Sequence, residues 1–151
     1  MLFRSNPFGQ GKDVPRIAMA HQIPYVATAT VADPRDLERK VFRAMEFHGA
    51  RYLHVLVPCP LGWGAAANDT IRLARLAVQT GLFPLFEAED GEVVAVTRLR
   101  GPRVPVEEYL RRQQRYAHLF AEPPRTEEIA AIQAIADRNI ARYGLEVVPD
   151  A

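Results

Sequence analysis

The stretch Tyr52-Leu-His-Val-Leu-Val-Pro-Cys-Pro-Leu-Gly-Trp-Gly64 constrains the fold more than any other part of the chain. Its first half is an almost unbroken apolar run with β-branched residues, the pattern of a strand buried on both faces of a sheet. Its second half stops that strand. Pro58 and Pro60 have no N–H to extend a ladder, while Gly62 and Gly64 permit tight turns. Cys59, the single cysteine of the sequence, lies between the two prolines. A lone thiol is thus expected on a stiff corner at the C-terminal end of a core strand, the edge at which open α/β sheets bind ligands.

The rest of the chain reads as alternating helices and strands. Asp13 caps a first helix with Pro15 in its opening turn, running to about His21. Ile23–Thr30 forms a short strand. Asp33-Pro-Arg-Asp36 starts a second helix with an inward stripe of Leu37, Val41, Ala44 and Met45, ended by Gly49. This order predicts a parallel sheet with crossover helices, in which the strands near Tyr25 and Val55 are adjacent and parallel. Asn68 or Asp69 caps a third helix with Ile71, Ala74, Ala77 and Val78 inward and Gly81 closing it. Phe83–Glu89 and Glu92–Thr97 flank Asp90-Gly91, a hairpin signal. Two C-terminal helices follow a Gly/Pro/Arg connector. One runs from Pro105 to about Phe120; the other is capped by Thr126, carries Ile129, Ile132, Ala136 and Ile140 on one face, and ends at Gly144.

Composition closes off several classes of function. With 151 residues, 48% hydrophobic and 25% charged, the chain can bury a core and is not a disordered polymer. A formal net charge of +1 gives no basis for nucleic acid or an anionic membrane as partner. No apolar run approaches the roughly 20 residues that span a bilayer. One cysteine excludes an intrachain disulfide framework and fits a reducing cytoplasm. Residues 1–11 read as irregular, and a helix follows with no strand before it. Strands upstream are therefore expected to be missing, with residues 1–11 marking a truncation point.

The candidate sites differ in strength. Gly62-Trp-Gly64-Ala-Ala-Ala67 matches a dinucleotide fingerprint in form. Prolines separate it from the strand, and an indole fills the position where backbone must approach a pyrophosphate, so a structural turn is expected. His21, His48, His54 and His118 have no metal-ligand spacing, and His54 reads as a satisfied core histidine. Glu87, Glu89, Asp90 and Glu92 read as a solvated hairpin tip; Arg98, Arg100 and Arg103 as a solvated connector. From chemistry alone Cys59 has three readings: a small buried hydrophobe, which lone cysteines most often are, a nucleophilic or redox thiol, or one ligand of a metal cluster completed from elsewhere.

The loop and its flanks bear a specific likeness. His21-Gln-Ile-Pro-Tyr-Val-Ala-Thr-Ala29, Pro34-Arg-Asp-Leu37 and His54-Val-Leu-Val-Pro-Cys-Pro-Leu-Gly-Trp-Gly64 resemble the β subunit of pyruvate:ferredoxin oxidoreductases, and the likeness continues more loosely into the final helices. The resemblance implies the C-terminal half of such a subunit, part of a thiamine diphosphate-binding α/β fold. It implies a four-iron–four-sulfur (4Fe-4S) cluster of which Cys59 is one of four ligands. The other three ligands, and the family's diphosphate- and magnesium-binding segment, have no counterpart in this sequence. The implied reaction is oxidative decarboxylation of pyruvate or a related 2-oxoacid to an acyl-coenzyme A, with electrons passed to ferredoxin. The implied partners are the α and other subunits, ferredoxin, coenzyme A and the 2-oxoacid. Residues 12–104 would be the α/β part with its hairpin and 105–151 a helical extension. The competing expectation is a non-catalytic α/β interaction domain with an inert cysteine; a stand-alone nucleotide binder is the weakest of the three.

Overall fold

The computed structural model describes residues 11–146 and puts β1 (Tyr25–Thr30) at the heart of a four-stranded sheet. The strand order is β2-β1-β3-β4, with β2 at Arg51–Leu56, β3 at Phe86–Glu89 and β4 at Glu92–Val96. β1 and β2 run parallel, Tyr25 opposite Arg51 through Thr30 opposite Leu56. The helix between them, α2 (Pro34–Met45), makes the crossover that a parallel pair requires. The parallel pair is as expected, and the expected hairpin joins the same sheet, which makes the whole mixed. β3 pairs antiparallel with β1, and β4 folds back on β3 through Asp90-Gly91, both with positive φ. That hairpin turns on the dipeptide that announced it.

The strand singled out by the sequence lies at the sheet's edge. All six residues of β1 are buried, whereas β2 is half-buried after an exposed Arg51. Among the described residues β2 has a neighbour on one side only. Tyr25 and Ala27 pack against Ala44 of α2 with Phe47 and Leu53, and Tyr25 stacks on Phe47 at 5.1 Å. The opposite face carries Val26, Phe86 and Ala88 against Ala18 of α1 (Val14–Ala20), with Tyr143 stacked on Phe86 at 4.8 Å.

Both Asp caps form, Asp13 Oδ1 accepting from the Arg16 N–H at 3.2 Å and Asp33 Oδ1 from the Asp36 N–H at 3.1 Å. The inner stripe of α2 is rotated from the expected one. Ala44 is buried, but Val41 and Met45 are 43% and 69% exposed, and Lys40 takes the inner position. The reason is polar: the Lys40 ammonium reaches Asp36 at 2.6 Å and the Thr28 carbonyl at 2.9 Å, so its charge is paired while its stem fills space. The helix stops at Met45, four residues before Gly49.

A second core joins α4 (Thr70–Gln79), α5 (Val106–Leu110) and α6 (Thr126–Tyr143) through Leu73, Leu76, Tyr109, Leu110, Ile129 and Ala136. In α4, Ala74 and Ala77 are buried as expected and Leu73 and Leu76 join them, while Ile71 is 41% exposed. The single helix expected from Pro105 to Phe120 is interrupted. The Gln113 side chain donates to the Tyr109 carbonyl at 2.7 Å, taking the acceptor that helix propagation would offer to its own N–H. Gln113 is extended, and a 3-10 turn over Gln114–Leu119 follows. Thr126 is the first residue of α6 and not its cap, while Gly144 ends the helix in the left-handed region as expected.

Candidate functional site

Cys59 sits three residues beyond the end of β2, exposed, on a corner whose rigidity comes from its neighbours. Pro58 is buried and anchors the corner. Pro60 opens a one-turn helix, α3 (Pro60–Trp63), for which Cys59 is the cap residue. The sulfur accepts the Gly62 N–H at 3.4 Å, the Trp63 N–H donates to the Cys59 carbonyl at 3.0 Å, and Gly64 closes the turn at φ +60°. A side chain at Gly62 would place its Cβ 3.4 Å from Sγ. The expected structural turn is a helical one that aims one backbone donor at the thiol. Because Trp63 packs against the helical core, the dinucleotide reading of Gly62–Ala67 has no open cradle here.

The arrangement suits one metal ligand and not a whole site. A thiolate at Cys59 would be exposed, held by prolines on both sides and hydrogen-bonded through one N–H, and hydrogen bonds to sulfur tune cluster potentials. Four thiolates are the usual set for an iron–sulfur cluster. The sequence has one, and among the described residues no group of three or more His, Cys, Asp or Glu could hold a metal. These residues fit a cluster only as one ligand of four.

The other candidates separate cleanly. His54 is not the satisfied core histidine expected. Its Nδ1 is buried without a hydrogen-bond partner, its ring lies edge-on to Phe83 at 5.6 Å, and it borders a cavity of about 150 Å³ shared with Asn139 and Tyr143. His21, His48 and His118 are exposed. Glu87 is not part of a solvated tip: it is 6% exposed, accepts from the Tyr25 hydroxyl at 2.7 Å and pairs with Arg39 at 2.7 Å. Burial alone would raise its carboxyl, but the bonds from Arg39 and Tyr25 outweigh that and leave it below the usual carboxylate range. Arg103 pairs with Asp137 at 2.9 Å, while Arg98 and Arg100 border a surface cavity of about 300 Å³ with Arg75.

Two features escaped the sequence reading. One is the Tyr25–Glu87–Arg39–Asp36–Lys40 network under α2, whose only sequence traces are the i, i+3 spacing of Asp36 and Arg39 and the i, i+4 spacing of Asp36 and Lys40. The other is Arg115, whose guanidinium lies 3.9 Å above the Trp63 ring. No local pattern links residues 52 positions apart.

Fold and corner together describe an α/β unit that presents one exposed cysteine at the end of a parallel strand. No protein-family model matches the chain. Curated relatives do. Over 135 residues, 89% of this chain, it is 49% identical to pyruvate synthase subunit PorB of Methanosarcina barkeri, covering 45% of that protein. It is 45% identical to the subunit of the same name in Methanocaldococcus jannaschii, over 89% of this chain and 43% of that protein. Ketoisovalerate oxidoreductase subunit VorB of Pyrococcus abyssi is 43% identical over 74% of this chain and 36% of that protein. The chain is a homologue of part of these subunits and spans less than half the length of the relatives it matches. Among the described residues no helix is long and apolar enough to cross a membrane.

Proposed function

We propose that this chain is the C-terminal part of the β subunit of a 2-oxoacid:ferredoxin oxidoreductase, acting on pyruvate or a branched-chain 2-oxoacid in the cytoplasm. The observation that carries the reading is the Cys59 corner: an exposed sulfur past the end of β2, in a chain 49% identical to a pyruvate synthase subunit. Cys59 supplies one of four ligands to a 4Fe-4S cluster, the other three coming from the remainder of the subunit. In the complete enzyme thiamine diphosphate with Mg²⁺ would supply the carbanion chemistry that decarboxylates the 2-oxoacid, and the cluster an exit for two electrons toward ferredoxin, leaving acyl-coenzyme A and CO₂.

This chain's own share is positional. Pro58 and Pro60 remove backbone freedom that would let the sulfur swing away from iron. The Gly62 N–H offsets thiolate charge. Val41, Phe42 and Met45 on α2 and Leu61, 96% exposed beside Cys59, leave apolar surface for the rest of the subunit and the α subunit to cover. The same surface would serve a non-catalytic interaction domain with an inert cysteine, so the cysteine decides between the two.

Coexpression with the remainder of the β subunit and its partner subunits tests the reading. The assembled enzyme should carry iron and broad visible absorbance, and Cys59→Ala should lose both along with ferredoxin reduction. Unchanged iron content and absorbance in that variant would remove the cluster assignment. The 151-residue chain alone should purify colourless, and calorimetry should find no micromolar binding of thiamine diphosphate or Mg²⁺, that is, none worth about 8 kcal/mol.

A further inference from the structure

We infer that Arg115 fixes the direction of the Cys59 sulfur by clamping Trp63, so that the C-terminal helical segment is the positioning device for the metal-ligand corner. The consequence for a cluster rests on the proposed role of Cys59; the clamp itself does not.

The clamp is built from the core outward. Gln113 is 1% exposed and fixed by its side-chain amide, which donates to the Tyr109 carbonyl at 2.7 Å. Its Oε1 accepts the Arg115 Nε–H at 2.9 Å, which orients the guanidinium plane. That plane lies 3.9 Å over the Trp63 ring and 4.7 Å from the Tyr116 ring. Among the described residues Arg115 has no ion pair, and its Nη2 also donates to the Tyr109 hydroxyl at 3.5 Å. A second tie holds the same turn: the Gln114 N–H donates to the Gly64 carbonyl at 3.1 Å. The two backbones are so close there that a Cβ on Gly64 would stand 2.5 Å from the Gln114 Cβ.

Trp63 is the last residue of α3, and its N–H is bonded to the Cys59 carbonyl. Fixing the indole fixes the roll of the helical turn, and the roll sets where the Gly62 N–H meets Sγ. Leu61 and Cys59 are exposed and contribute no packing against that rotation, which is left to the held indole and to the Gln114–Gly64 tie. Arg115 is exposed, and a cation–π contact at an exposed site changes the population of a mobile corner by about two- to fivefold.

The sequence contains one tryptophan and one cysteine, so both ends of the device can be read in the full chain without background. A nitroxide label on Cys59 reports the motion of the corner, and Trp63 emission reports the clamp. Arg115→Ala should shift Trp63 emission to the red, increase its quenching by acrylamide, and turn a restricted nitroxide spectrum into a mobile one. Helical circular dichroism should stay unchanged. Arg115→Lys should restore part of each signal, and Arg125→Ala, an exposed residue paired with Glu128, should move none. The inference is overturned if Arg115→Ala leaves emission and label spectrum unchanged, if the unsubstituted label is already mobile, or if Arg115→Ala unfolds the helices, which a surface clamp must leave standing. A mobile label in Arg115→Ala, together with iron content indifferent to Cys59→Ala in the assembled enzyme, would keep the clamp and discard the cluster. The opposite pair of results would keep the cluster and discard the clamp.

Discussion

The Tyr25 hydroxyl donates to Oε2 of Glu87 at 2.7 Å, joining two side chains that stand diagonally across the β1–β3 ladder. Arg39 of α2 takes the other carboxylate oxygen at 2.7 Å. One buried carboxylate therefore ties a helix and two antiparallel strands together. Such a group is costly to leave unpaired and specific in what it accepts.

Glu87 should make the fold acid-sensitive. Its carboxyl lies below the ordinary value of 4.5, because its hydrogen bonds outweigh the opposing effect of burial. A depressed folded-state pKa contributes stability that is present above the unfolded value and is lost as pH falls through the folded one. Urea denaturation at pH 7 should show Glu87→Gln about 2 kcal/mol less stable, and between pH 5 and 3 its midpoint should fall less steeply than that of the unsubstituted chain.

Tyr25 predicts the alkaline limb. Burial first, and the Glu87 carboxylate second, push its phenol well above the ordinary 10.0. A raised folded-state pKa contributes stability that is fully present below pH 10 and drains as pH rises through the folded value. Tyr25→Phe should cost about 1–3 kcal/mol at neutral pH, because Oε2 of Glu87 loses its donor, and should flatten the decline above pH 10.

Thr28 continues the sheet by side chain where backbone pairing ends. The β1–β3 ladder runs from Tyr25 to Ala27; beyond it the Thr28 hydroxyl accepts the Phe86 N–H at 2.9 Å and donates to the Pro84 carbonyl at 2.6 Å. Thr28→Val keeps the shape and strands a buried N–H. Equilibrium unfolding should register a loss of about 1–3 kcal/mol.

Gly81 meets the last helix at close range. A Cβ there would lie 2.7 Å and 2.8 Å from the Ile140 Cγ1 and Cδ1, and the backbone has φ +81°. Gly81→Ala should cost about 2–4 kcal/mol through overpacking and left-handed strain together. Gly101→Ala, at φ +71° with nothing within 4 Å, should cost only about 1 kcal/mol. Equal losses at the two positions would contradict the close approach of α4 and α6.

Local signals were readable and distant ones were not. Asp13, Asp33, Asp90-Gly91 and Gly144 act on their immediate neighbours, and each does what its type dictates. The phase of α2 depends on Lys40 reaching a carbonyl on β1, which no heptad count reveals. The antiparallel insertion of β3 beside β1 is likewise a tertiary choice. At the corner, Pro58, Cys59 and Pro60 were legible as a stiff turn after a strand. The N–H that the turn points at the sulfur was not, and neither was Arg115, whose contact with Trp63 joins segments about fifty residues apart.

The sequence contains only two lysines, Lys12 and Lys40, among its nineteen basic residues. Lys12 is exposed, while Lys40 is 1% exposed with its amine bonded to Asp36 and Thr28. Brief acylation of the native chain should therefore mark Lys12 and spare Lys40, which becomes reactive only when α2 lifts from β1. Counting acyl groups by mass would then time the undocking of a single helix, a footprint that a chain rich in lysine could not give.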